Sequence, residues 1–202
     1  MSFDFRPSLA VALLATAFAI MPSADAQAGP ITYTAVLNGA NEAPPIASPG
    51  TGLATVAYDD VAHTLLVNAT FQDLIGNTTA AHIHGPTAVA GTGTAGAATT
   101  TPNFPGFPLG VTSGSYSNQF DLTLASSWNP TFITNNGGTA ASAEAALAAA
   151  MAGGKAYFNI HSSFAPGGEI RGFLQPVPEP GSSIVLLGIG VAGLASRRLR
   201  RR

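Results

Sequence analysis

The sequence contains no cysteine, which removes disulfides and thiolate metal sites even from an exported chain. Charge is scarce as well: charged residues make up 9% of the 202 residues. Between residues 27 and 176 the cations are Lys155 and Arg171, set against Glu42, Asp59, Asp60, Asp73, Asp121, Glu144 and Glu169. That stretch is mildly acidic and has no basic patch to neutralise phosphates, so nucleic acid is excluded as a partner. A Gly-x-Ser-x-Gly elbow is missing, which takes away the main support for a serine hydrolase. Gly91-Thr-Gly-Thr-Ala-Gly96 is glycine-rich but carries no lysine and lies in no βαβ setting, so it is not a phosphate cradle. No pair of carboxylates stands out for glycoside cleavage.

Long apolar runs are confined to the two ends. Arg6 precedes an apolar segment from Leu9 to Met21, and Ala24-Asp25-Ala26 fits the small-x-small cleavage pattern of a secretory leader over residues 1–26. At the other end, Pro178-Glu179-Pro180 is followed by an apolar run over 181–195 and then by Arg197, Arg198 and Arg200–Arg202. The run falls short of the roughly 20 residues that span a bilayer comfortably, but flanking arginines can snorkel. Those arginines predict a cytoplasmic end, leaving the rest of the chain outside. This tail resembles the PEP-CTERM sorting signal of Gram-negative bacterial proteins. The resemblance implies export, a sorting tail over 176–202 whose apolar run over 181–195 is a C-terminal transmembrane segment, and processing by an exosortase-type enzyme.

The stretch between the ends is the size of one domain. Its texture is short alternating strands punctuated by Gly, Pro, Asn and Asp. Strands are predicted over 31–37, 52–58, 63–71, 79–84, 114–124, 155–161 and 169–175, with Asp59-Asp60 turning the second into the third. Residues 85–110 are rich in Gly, Thr, Ala and Pro and read as a long loop, a feature that is often functional. One short Ala-rich helix is expected over 140–151, stopped by Gly153-Gly154. Seven or so strands with one helix predict an all-β fold, an antiparallel β-sandwich.

Chemistry-bearing side chains concentrate in three segments. In Ala81-His-Ile-His-Gly85 the strand period puts His82 and His84 on one face and Ile83 on the other. In Tyr157-Phe-Asn-Ile-His161 the same parity groups Asn159 with His161, and in Glu169-Ile-Arg171 it groups the two charges. If the three strands share a sheet, all six polar side chains converge. His82, His84 and His161 then suit an imidazole metal site, with copper and zinc as candidate ions in the absence of thiolate. Glu169 would orient an imidazole or complete the site. The plainer alternative is a polar seam in which Glu169 pairs with Arg171 and backbone carbonyls satisfy the histidines. His63, without a companion, reads as a strand-edge residue.

The same segments carry a resemblance. Leu37-Asn-Gly-Ala-Asn-Glu42-Ala-Pro-Pro45, Ala80-Ala-His-Ile-His-Gly-Pro86, Tyr157-Phe-Asn-Ile-His161 and Pro166-Gly-Gly-Glu-Ile-Arg-Gly172 are similar, in order, to the CHRD domain named from chordin, here over residues 31–175. The growth-factor ligand of chordin does not carry over to an exported bacterial chain. A fainter similarity links His82, His84, His161 and Arg171 to the copper–zinc superoxide dismutases, so the sandwich is expected to be immunoglobulin-like or dismutase-like. The zinc loop, the cysteine pair and a fourth copper histidine of those enzymes have no counterpart here. The expectation is an exported, membrane-tethered module at the cell surface or in the extracellular matrix, with exopolysaccharide or surface proteins as partners. A copper- or zinc-binding protein is the alternative.

Overall fold

The computed structural model describes residues 29–178. The leader expected over 1–26, Glu179 and Pro180 of the sorting motif, the apolar run and the arginine end lie outside the described residues. No helix among the described residues is long and apolar enough to cross a membrane.

Eight strands form one antiparallel sheet: β1 (Ile31–Asn38), β2 (Thr51–Asp59), β3 (Thr64–Gln72), β4 (Thr78–His84), β5 (Gly114–Asp121), β6 (Tyr157–Ser162), β7 (Ile170–Phe173) and β8 (Gln175–Pro176). The order is β4-β6-β7-β1-β2-β3-β5, with β8 also on β1. The mostly β, antiparallel character thus agrees with the sequence, but the hydrogen bonding does not divide into the two separate sheets of a sandwich. The reason lies in β1, which pairs with β2 along its whole length and also meets β7 at Asn38 and β8 at Tyr33 and Thr34. Through that junction the sheet curls until its two halves face each other across a single core.

The halves read differently. In β1, β2, β3 and β5 burial alternates, with Leu37, Val56, Leu65, Val67, Phe71 and Phe120 turned inward and polar residues turned outward. In β4, β6 and β7 almost every residue is buried. Ile83, Phe158, Ile160 and Ile170 join the core, while the opposite face of these strands is covered by loops. At the junction the backbones approach so closely that a Cβ on Gly172 would stand 2.3 Å from the Val36 carbonyl oxygen, which only glycine avoids.

The long loop contributes structure. Its Ala97 bridges to His84 and its Thr99 to Trp128. Phe104, fully buried, enters the core and packs against Phe158 of one half (centroids 5.8 Å apart) and against Tyr116 and Phe120 of the other (5.7 and 5.3 Å). Composition suggested a loop; Phe104, with Ala98 and Phe107, makes part of it a core element.

Two helices follow β5, where one was expected. The additional one, α1 (Pro130–Asn135), starts at Asn129, whose side chain accepts from the Thr131 amide, with Pro130 in the first turn. The Ala-rich α2 (Ala140–Ala152) begins with a Thr139/Ser142 capping box and stops at Gly153. It docks through Leu147, Ala150 and Met151 and through one carboxylate. Glu144, buried, accepts from Tyr58 Oη at 3.1 Å and lies 3.0 Å from His63 Nδ1 at the β2–β3 turn. His63 is therefore the surface partner of a buried acid.

Two outcomes test this packing. Phe104→Ala should lower the unfolding free energy by about 3–5 kcal/mol, measured by chemical denaturation. The hydrogen bond and the charge of Glu144 raise the pKa of His63 above its ordinary value of 6.5. A raised pKa means the folded state holds the proton longer, so the stabilisation is complete below pH 6.5 and disappears as pH rises through the folded value. His63→Gln should therefore be less stable than the parent at pH 6, with the gap closing as the pH approaches 9. A gap independent of pH would refute the assignment.

Candidate metal centre

Register across β4, β6 and β7 builds the site. His82 pairs with Asn159, and Asn159 with Arg171, giving a cross-strand row of three polar residues. His84 lies opposite Tyr157 and His161 opposite Ala80, which places the three imidazoles around one another on the outer face. Their ring centroids are 5.3–5.5 Å apart. One ring nitrogen from each lies within 4.8 Å of the others. His82 and His84 are 7% and 9% exposed, and His161 is partly exposed.

Backbone carbonyls orient each ring. Nε2 of His82 lies 2.8 Å from the Pro102 oxygen, Nδ1 of His84 3.0 Å from the Ala95 oxygen, and Nδ1 of His161 2.9 Å from the Pro166 oxygen. A carbonyl only accepts, so each of these nitrogens carries the hydrogen and donates it. The lone pairs are thereby left on His82 Nδ1, His84 Nε2 and His161 Nε2. His82 Nδ1 is buried without a partner. The Nε2 atoms of His84 and His161 face each other at 3.3 Å, an arrangement that repels unless a cation or proton lies between them.

Electrostatics keep these lone pairs free. Burial, followed by the neighbouring His161, lowers His82 to about 4. Burial lowers His84 to about 3, opposed by the hydrogen bond to Ala95 and reinforced by the other two imidazoles and Arg171. Burial also lowers His161, against the hydrogen bond to Pro166. All three are neutral near pH 7, the form that ligates a metal. A tetrahedral ion with nitrogen ligands at roughly 2.0–2.1 Å holds two of them about 3.3 Å apart, which is the separation of the two Nε2 atoms.

The sequence parity holds for Asn159 and Arg171 but not for Glu169. Arg171, 3% exposed, donates through Nε to the Asn41 carbonyl and through Nη1 to the Gly93 carbonyl. Its charge partner is Glu42, at 3.6 Å, and not Glu169. The guanidinium stacks on Tyr157 (4.7 Å to the centroid), and Tyr157 stacks on His84 (5.0 Å). Glu42 received no role from the sequence, although it sits in one of the segments that carry the resemblance. Oε1 of Glu42 and Oδ1 of Asn159 are both buried without partners, and they crowd the same point beside Gly168. Burial, partly offset by Arg171, raises Glu42 to about 7.

A family model described as the CHRD domain matches residues 33–174. This chain belongs to the CHRD-domain family. A second match, over residues 176–202, is the PEP-CTERM protein-sorting motif, which marks the CHRD chain for exosortase-type processing and anchoring at the cell envelope. No curated protein and no solved structure is similar enough to match it.

Within the CHRD domain, Glu169 precedes β7 and turns away from the histidines. Fully buried, it accepts from Ser48 Oγ and the Ile75 amide (both 2.6 Å), the Gly76 amide (3.2 Å) and Ser162 Oγ. It ties three loops together and cannot orient an imidazole. Burial works to raise its pKa, but the bonds from Ser162, Ser48, Ile75 and Gly76 outweigh it and hold the carboxyl below its ordinary value. A depressed pKa stabilises the fold above the unfolded value of 4.5 and ceases to do so as pH falls through the folded value. Glu169→Gln should cost stability at pH 7, less so toward pH 3, and leave metal binding unchanged. A loss of metal with the fold intact would return Glu169 to the site.

Proposed function

We propose that the CHRD domain of this exosortase-sorted surface protein is a metal-binding module, with His82, His84 and His161 holding a copper or zinc ion. The observation that carries the reading is the set of three carbonyl bonds, from Pro102, Ala95 and Pro166, that leave one bare nitrogen on each ring, two of them facing each other at 3.3 Å. A polar seam needs each imidazole to have a donor–acceptor partner on both sides, and His82 Nδ1 has none. The ligand type favours copper or zinc over calcium or magnesium, which take oxygen donors. Three protein ligands leave a coordination position free, the arrangement of catalytic and ligand-exchanging sites and not of closed structural ones.

The sorting signal supports anchoring at the envelope, and we read the module as acting at the surface or in the extracellular matrix. There the domain holds or presents the ion. Two neighbours bear on the ion's behaviour: Tyr157, stacked on His84, and Arg171, stacked on Tyr157. A cation in place of the present lone-pair contact joins β4 to β6 through side chains as well as backbone, so it adds to stability by binding only the folded state.

The decisive experiment purifies the full chain without a histidine tag and measures bound metals by elemental analysis before and after copper and zinc loading. About one ion per chain is expected, together with a rise in unfolding temperature on loading. His84→Ala and His161→Ala should each remove the ion. Near-stoichiometric binding that survives both substitutions, or none at micromolar metal, would sink the reading and leave the histidines as architecture.

A further inference from the structure

A separate cleft of about 750 Å³ opens beside the Arg171 end of the cross-strand row. That volume falls in the range of small-molecule sites. Its floor is the outer face of the junction, where Thr34, Val36, Phe173 and Gln175 come together, and its walls are the segment from Ala40 to Pro45 and Gly91–Thr92 of the long loop. Val36 is 66% exposed in the middle of an otherwise well-packed strand pair, so the floor offers uncovered apolar surface at the centre of a polar rim.

The lining chemistry narrows the occupant. The cleft holds one cation, Arg171, and one anion, Glu42, already paired with each other. An ionic ligand therefore meets attraction and repulsion together. The remaining polar groups are the Gln175 amide and two hydroxyls, Thr34 and Thr92, each able to donate and to accept, and the Asn41 amide, whose Nδ2 already donates to the Val36 and Arg171 carbonyls and which offers Oδ1 as an acceptor. Between them lie Val36, Pro44, Pro45 and Phe173. A ligand that fits carries hydroxyls around its edge, C–H groups on its faces and no net charge. Arg171 is rigidly presented by the Asn41 and Gly93 carbonyls, and Nη2 has no acceptor among the described residues.

We propose that this cleft binds a neutral glycan segment of two or three sugar units, with Val36, Pro44 and Phe173 against the sugar faces and Gln175, Thr34 and Asn41 bonding its hydroxyls. The site is independent of the metal reading: none of the three histidines lines it. It supplies the domain with a contact to polysaccharide outside the cell, so that one face of the sheet holds an ion while its neighbour grips the matrix.

Isothermal titration of the full chain tests this, in a detergent without a sugar headgroup. The probes are cellohexaose, maltohexaose, xylohexaose and mannohexaose, with hexagalacturonate as the charged comparison, each up to about 10 mM to cover weak millimolar affinities. Saturable heat is expected with at least one neutral hexamer, and the same affinity with and without EDTA. Thr34→Val and Gln175→Ala, at partly and fully exposed positions, should each weaken binding about threefold to tenfold, the worth of a hydrogen bond, with the unfolding midpoint unchanged. Binding of hexagalacturonate alone, no saturable heat with any neutral hexamer, or affinity untouched by both substitutions would each overturn the proposal. Loss of affinity in EDTA would instead move the glycan to the histidines.

Discussion

Burying a guanidinium is costly unless its N–H groups find acceptors and its charge a partner, and the outer face of this sheet is arranged around that requirement at Arg171. The acceptors come from distant parts of the chain: the Asn41 carbonyl after β1, the Gly93 carbonyl in the long loop and the Glu42 carboxylate. Meeting them draws two loops down over β6 and β7. One consequence is that β4 and β6 are buried on both faces. Another is that the loop carbonyls of Ala95 and Pro102 stand where His84 and His82 need them.

The curl of the sheet is the second constraint. Because β1 continues the hydrogen bonding from β2 into β7 and β8, the last strands are held at the same edge as the first. Phe104 then fills the space between the halves. The histidine face is thus braced from below by a packed core and from above by loops, which hold three imidazoles at fixed separation. Preorganisation of that kind reduces what binding must spend on ordering side chains.

Much of the scaffold was legible in the sequence. Alternating apolar residues located most strands to within a residue or two, since period-two patterning survives wherever one face is wet, although β5 stops at Asp121 and the last expected strand divides into β7 and β8. His82/His84 and Asn159/His161 fell on shared faces because strand geometry alternates side chains whatever covers each face. Glu169 broke the rule because it precedes β7 and is turned by hydrogen bonds from Ser48, Ile75, Gly76 and Ser162, so the strand period does not apply to it. The short helix α1 was missed although Asn129-Pro130 announces it, because six residues carry too little periodicity to detect. Glu42 could have been suspected as one of few acids in a chain with almost no cations between its ends, but nothing in one dimension pairs it with Arg171.

What the sequence by itself determined is local: the strand pattern, the capped Ala-rich helix, the sorting signal and the facing of each histidine. All of these follow from side-chain period, backbone preference and apolar length, which neighbouring residues set together. Tertiary structure alone decided the rest. Partner choice for Arg171, the gathering of the three imidazoles, the insertion of Phe104 and the cleft above Val36 all depend on groups from separate parts of the chain. Their meeting is fixed by the closure of the sheet and by the cost of leaving a buried polar group alone, and neither is written in any single segment.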